Sequence, residues 1–447
     1  MPTIWGLQAQ LCAAQRPKRG ALLRAFFACP HAPRVGGMPS AFASPRRDRH
    51  PFGAVVWALV LALQGGCASL GAPSSQQAIA ELWKGWAEID ALMQPNYPEA
   101  VPIVLVHGWN GSEFSWPPPE RLAALEARLK RDIYYFTYRT GPLPARYPPL
   151  EALEEQLERF IAAFKQVDIV AHSMGGLLVR QYLAHHPKGR VRRVVMLSSP
   201  HFGANAAALL AEVASSITAE GHAQAQEIMP GSAFLWALNE AEGAELAGVE
   251  ALNAYAEDHD LVVDPSAAWL PWAPNVAVSG DHHTLAHNFD RFPFILRFLE
   301  TGEPPARLAP MPKKKTVWLR MQRADGTFAR FSEASVKRFN AQGLPTKQGI
   351  TLCCINRTAL FDPGGTTIVI ENAAPGERLL LIDRAKSPPR KVFVTLPSEL
   401  PYPVVMLVAN EQGRIVFRPR GRFWRPAERP LAAQQPEKQR EQNADED

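Results

Sequence analysis

The sequence predicts an α/β layer protein built on a parallel sheet, followed by a smaller all-β module. Two observations carry this. Between residues 101 and 302, short apolar, β-rich runs alternate with stretches of helical periodicity, the pattern that places helices on the faces of a parallel sheet. Beyond the lysine run at 313–315 the periodicity drops to two, that of a strand with one buried face, and Pro and Gly punctuate the runs.

In the first part the strand candidates are VPIVLVHG (101–108), DIYYFTY (132–138), VDIVAHS (167–173), VRRVVMLSS (191–199), a segment near 248–256, and NVAVSG (275–280). The helical patterns ERLAALEARLKR, EALEEQLERFIAAFKQ and GGLLVRQYLAHH separate the first four, and NFDRFPFILRFLETG closes a domain spanning 76–305. Residues 204–247 break the rhythm: Ala-rich and helical in pattern, they are expected to form a cap hinged at Gly221, Gly231 and Gly243. Leu209, Leu210, Ile217, Phe234, Leu235 and Trp236 would then face the site beneath. The module at 315–425, with TVWLRMQ, GITLCCINR, TTIVIEN, RLLLIDR, KVFVTL and VVMLVANEQGRIVFRP as strands, reads as a small sandwich. The tail at 426–447 is charged and nearly devoid of large apolar residues, so disorder is expected there.

With 447 residues, 47% hydrophobic and 20% charged, the chain has material for a sizeable core. A net charge of +5 invites a nucleic-acid reading, but residues 1–67 hold eight Lys and Arg against the single acid Asp48. The rest carries 40 bases and 42 acids, a net of −2, so the basic excess belongs to the N-terminal leader and no nucleic-acid partner is expected.

That leader has the layout of an export signal. In PRRDRHPFGAVVWALVLALQGGCASL (45–70) a basic stretch precedes an apolar run from Gly53 to Leu63, then small residues and Cys67. The run is too short for a stable membrane span. It resembles a bacterial lipoprotein signal, which implies removal of 1–66, lipidation of Cys67 and a membrane-anchored mature protein, with Ala68 pointing to the outer membrane in a Gram-negative host. Gln64 stands where a small residue is usual, so ordinary secretion and a retained anchor stay open, and Met38 is an alternative start. A linker (67–75) and an amphipathic helix (76–93) would follow. After processing only Cys353 and Cys354 remain; as neighbours on one strand they point to opposite faces and read as core thiols, with no disulfide framework.

The strongest chemical signal is VDIVAHSMGG. An apolar strand enters a tight turn whose small residues let Ser173 stand at the apex, and a helix follows at once. The helix N-terminus and the Met174 amide would then face negative charge developing on a substrate oxygen. Ala171 replaces the glycine usual at that place but is still small.

With this elbow the chain resembles bacterial lipases and esterases of the α/β-hydrolase superfamily, over residues 101–302. PIVLVHGWNG resembles the strand and oxyanion loop before the elbow, which implies the Trp109 amide as second oxyanion donor, and VVMLSSPHFGAN and IMPGSAFLWALN resemble later segments. The resemblance implies an α/β-hydrolase fold and the triad order Ser, acid, His. The acid comes from DHDLVVDPSAAW, where the family pattern falls on Asp260 with Asp258 and Asp264 as alternatives. The base comes from GDHHTLAH, where it falls on His282 with His283 as alternative. His107 and His201 read as loop pins around the oxyanion turn, His172 as the variable elbow position.

These residues point to acyl transfer to water without a cofactor: Ser173 attacks a hydrophobic or lipid ester, His282 relays the proton, Asp260 orients His282. An acyltransferase or thioesterase on the same residues, and a binding protein on an inactivated scaffold, remain the alternatives. A metal-dependent hydrolase using Asp258, His259, Asp260, Asp281, His282 and His283 as ligands would leave the elbow without purpose.

Overall fold

The computed structural model describes residues 95–424 apart from 139, 141–147, 188, 205–222, 333–334, 347–349, 353–354, 358–359, 362–363 and 386. The chain divides into two compact units, Met1–Pro95 and Asn96–Asp447. The leader, Cys67, the linker, the 76–93 helix, the cysteines at 353 and 354 and the tail all lie outside the described residues.

Six strands form one all-parallel sheet: β1 (Ile103–Val106), β2 (Ile133–Phe136), β3 (Val167–His172), β4 (Val191–Leu197), β5 (Glu250–Ala256) and β6 (Asn275–Val278), in the order β2-β1-β3-β4-β5-β6. β1 and β3 are buried along their whole length, as central strands of a parallel sheet covered on both faces must be. Around the sheet lie α1 (Pro119–Leu129), α2 (Leu150–Ala162), α3 (Met174–His185), α4 (Ala223–Glu227), α5 (Ala233–Glu240), α6 (Pro265–Ala268), α7 (Thr284–His287) and α8 (Pro293–Thr301). β3 is central, so β1 and β4 wall in whatever stands at its C-terminal end. Each of the six expected strands is present.

The C-terminal region is all-β. A five-stranded sheet runs β11 (Leu360–Phe361), β12 (Ile368–Glu371), β7 (Thr316–Gln322), β15 (Val404–Asn410), β16 (Ile415–Phe417). A three-stranded sheet runs β14 (Arg390–Thr395), β13 (Arg378–Asp383), β8 (Val336–Phe339). Val317, Leu319, Leu379, Leu381, Val394 and Leu407 meet in the core between them. The sequence reading missed β8 and β11 and took 349–357 as one strand; it is two, β9 (Ile350–Leu352) and β10 (Ile355–Arg357), paired antiparallel. β8 escapes notice because its outward positions are Lys337 and Phe339 and an inward one is Arg338, which is buried against Glu377; charge on both faces hides the period of two.

The central strand β7 of the five-stranded sheet is buried on both faces. Along β7, Val317, Leu319 and Met321 turn to the sandwich core, while Trp318 meets Phe202 edge-on (ring centroids 5.8 Å apart). Lys314 pairs with Asp264 (2.9 Å), and Trp272 meets Tyr402 edge-on (6.2 Å). The module is thus a further layer on the α/β domain.

Candidate active site

Ser173 follows the last residue of β3 and opens α3, with φ 54° and ψ −128°. That backbone region is sparsely populated for any residue with a Cβ and costs on the order of 1–3 kcal/mol. Its own amide is anchored by donating to the Leu197 carbonyl of β4 (2.8 Å). The small residues around it have steric reasons. A Cβ on Gly175 would lie 2.5 Å from the carbonyl oxygens of both Val106 and His107, and one on Gly108 would lie 2.6 Å from Ser173 Cβ. The loop after β1 and the elbow therefore touch, and Trp109, next after Gly108, sits one residue from that contact. Met174 is the first residue of α3, where helix amides have no intrahelical acceptor.

The loop from β1 is held by neutral His107. Its ring stacks on Tyr138 (4.1 Å), its Nδ1–H donates to Gly108 O (3.0 Å) and its Nε2 accepts from the Tyr138 amide (3.2 Å). Burial lowers its pKa to about 4, so it carries no charge near neutrality.

Ser173, His282 and Asp260 are brought together from three loops. The Ser173 hydroxyl donates to His282 Nε2 (2.9 Å), and His282 Nδ1–H donates to Asp260 Oδ2 (2.8 Å). Asp260 Oδ1 accepts from the amides of Val262 (2.9 Å) and Val263 (2.8 Å), so the carboxylate is held from both sides. Its side chain is 2% exposed and that of His282 7%. The alternatives are employed otherwise. Asp258 and His283 are exposed. Asp264 caps α6 through Ser266 and pairs with Lys314. Asp281 caps the α7 turn, accepting from the amides of His283 (3.0 Å) and Thr284 (2.8 Å). Among the described residues, no three His, Cys, Asp or Glu side chains gather as metal ligands.

Two histidines were given roles too slight or misplaced by sequence reasoning. His201 is not at the oxyanion turn: it is buried between Arg180 and Asn253, its Nε2–H donating to Asn253 Oδ1 (3.1 Å). His172 is buried beneath the His282 loop, its Nε2–H donating to the His282 carbonyl (2.9 Å). Burial, then the neighbouring His282, drives its pKa well below the usual histidine range.

Of residues 204–247, the described part does not lie loose over this site. Arg180 of α3 binds Glu245 (2.7 Å) and Asn239 (3.1 Å), fixing α5 and the 3-10 turn Ala244–Leu246 to the elbow helix. Leu235 and Trp236 are buried, and Trp236 lies under Arg320 of β7 (4.0 Å). Residues 205–222, with Leu209, Leu210, Ile217 and Gly221, are outside the described residues.

Residues 103–365, more than half of the chain, match the profile of the alpha/beta hydrolase family. The chain belongs to that family. No curated protein matches it. Among solved structures, phospholipase PlaB from Legionella pneumophila in complex with thio-NAD is similar at a TM-score of 0.51 and 12% identity, covering 70% of this chain and 93% of PlaB. The Bacillus licheniformis lipase BlEst2 in its propeptide form gives 0.38 at 18% identity over 63% of this chain and 71% of the lipase. The monoacylglycerol lipase of Paleococcus ferrophilus gives 0.35 at 16% over 47% and 100%. At such identities the likeness to PlaB is one of fold.

Proposed function

We propose that this alpha/beta hydrolase is a serine carboxylic-ester hydrolase of lipase or esterase type. The observation that carries the reading is the relay Ser173–His282–Asp260, with both oxygens of Asp260 engaged. In it, His282 takes the Ser173 proton as the hydroxyl attacks the ester carbonyl, then returns it to the leaving alcohol. Asp260 holds Nδ1–H, so that Nε2 presents its lone pair, and stabilises the imidazolium that forms. The amides of Trp109 and Met174 are the donors for the oxyanion. Water then attacks the acyl-serine by the same relay in reverse. No step needs a cofactor. A hydrophobic or lipid ester is the proposed substrate class, and the fold shared with a phospholipase makes a phospholipid a direct assay substrate.

The test is a p-nitrophenyl ester series with Ser173→Ala. The variant keeps its fold and loses turnover by several orders of magnitude together with fluorophosphonate labelling. Near-normal turnover in Ser173→Ala overturns the reading, as does activity lost to EDTA and restored by zinc.

A further inference from the structure

His282 is tethered at three points. Two are the ring contacts to Ser173 and Asp260; the third is its main-chain carbonyl, which accepts from His172 Nε2–H (2.9 Å). His282 sits in the short segment between the end of β6 at Val278 and the start of α7 at Thr284, where no strand or helix ladder holds it. From the other side of that segment Asp281 fixes the amides of the following turn but reaches nothing before it. His172 is the residue adjoining the nucleophile, the last of β3, its main chain in register with Leu197 of β4. Its ring is 3% exposed as a residue, lies 4.8 Å from the His282 ring, and is met edge-on by buried Trp116 (6.5 Å). Donating from Nε2 requires the hydrogen there, and a carbonyl can only accept, so the tautomer is settled by the contact.

We infer that His172 is a positioning residue: through the His282 carbonyl it ties the base to the strand that carries the nucleophile, and so sets the Ser173 to His282 separation. This rests on the proposed reaction. The physical reason is that one rigid element then carries both partners of the proton transfer, Ser173 covalently and His282 by a buried hydrogen bond. A displacement of about 1 Å between such partners costs on the order of a hundredfold in rate. Removing the donor also strands a buried carbonyl, which the segment relieves by moving outward.

The experiment compares wild type with His172→Phe, His172→Gln and His172→Asn in the full chain, well below each melting temperature. Readouts are kcat and KM on p-nitrophenyl butyrate and the rate of fluorophosphonate labelling of Ser173. Phe retains volume and the Trp116 contact without a donor; the Gln amide reaches about where Nε2 stands; the Asn amide stops short of it. Expected are a fall of roughly tenfold to a hundredfold in kcat and labelling rate for Phe and Asn, KM within about twofold, and recovery of most of the rate in Gln. If Phe fails to fold, the Asn and Gln pair decides by the same measures. Wild-type kcat in Phe or Asn, or a rate loss equal in Gln and Asn, overturns the positioning role alone. Absence of labelling in wild type overturns the serine-hydrolase reading, and this inference with it.

Discussion

Arg320 of β7 lies over the indole of Trp236 on α5, its guanidinium carbon 4.0 Å from the ring centroid. The contact joins the C-terminal sheet to the segment packed on the elbow helix, and Trp236 is buried there. The Trp236→Ala protein is therefore expected to lose stability, melting several degrees lower, because a buried aromatic and a desolvated cation–π contact go together. Its KM should change equally for butyrate and palmitate p-nitrophenyl esters. A KM raised selectively for the long chain would restore the acyl-binding role expected from the sequence.

Asp260→Asn tests the acid. An amide at this position can keep accepting from Val262 and Val263 through its oxygen, while its NH₂ donates to His282 Nδ1 and forces the hydrogen onto Nε2. Nε2 then has no lone pair for the Ser173 hydroxyl. A fall in kcat of roughly 10³–10⁴-fold with little change in KM is expected. Asp264→Asn should instead lower the melting temperature slightly, through loss of the Lys314 pair while its amide oxygen keeps the α6 cap, with kcat within about threefold. Measuring both separates acid from structural neighbour.

Glu227 of α4 makes the stability depend on pH. Burial raises its pKa from 4.5 to about 7, although it accepts from the Leu150 amide (2.9 Å). A carboxyl with a folded pKa above its unfolded value holds its proton more tightly when folded. Its favourable contribution is complete below pH 4.5 and is lost as pH rises through about 7. Glu227→Gln keeps the acceptor and cannot ionise. The variant should match wild type in melting temperature near pH 5 and exceed it by a few degrees at pH 8.5. The same difference at both pH values would refute the assignment.

Buried His107 acts with the opposite sign. Its folded pKa of about 4 is below the ordinary 6.5, so the unfolded chain binds the proton first and stability falls as pH drops from 6.5 toward 4. The melting temperature should decline over that window, and more shallowly in His107→Gln. Parallel curves would show that other groups govern acid unfolding.

We further propose that the mature protein begins at Cys67 and is held to a membrane by lipid, from the LALQGGC segment after a basic stretch. One acyl chain anchors marginally and several anchor firmly, so the lipidated form should enter the detergent phase. Cys67→Ser should remain in the aqueous phase; identical partitioning would refute lipidation.

Local sequence was sufficient for what depends on local chemistry. The six sheet strands are legible because each is a short run rich in apolar and β-prone residues set between helical patterns, as in a parallel sheet covered by helices. Ser173 is legible because the elbow needs small residues at fixed offsets, and Gly175 has no room for a Cβ. The sequence offered Asp258, Asp260 and Asp264 as acid and His282 and His283 as base, and only the resemblance to the family pattern chose Asp260 and His282 among them. Only tertiary contacts distinguish a carboxylate receiving the amides of Val262 and Val263 from one that caps α6 and pairs with Lys314.

The same limit hid what joins distant segments. Trp236 and Arg320 are 84 positions apart in the chain, and His172 and His282 are 110 apart. No periodicity or motif records such a pairing, because both partners satisfy their local pattern equally well with other neighbours. A strand buried on both faces, such as β7, reads the same whatever covers its second face. What covers it, and which loop each histidine holds, was decided by the packing of whole layers.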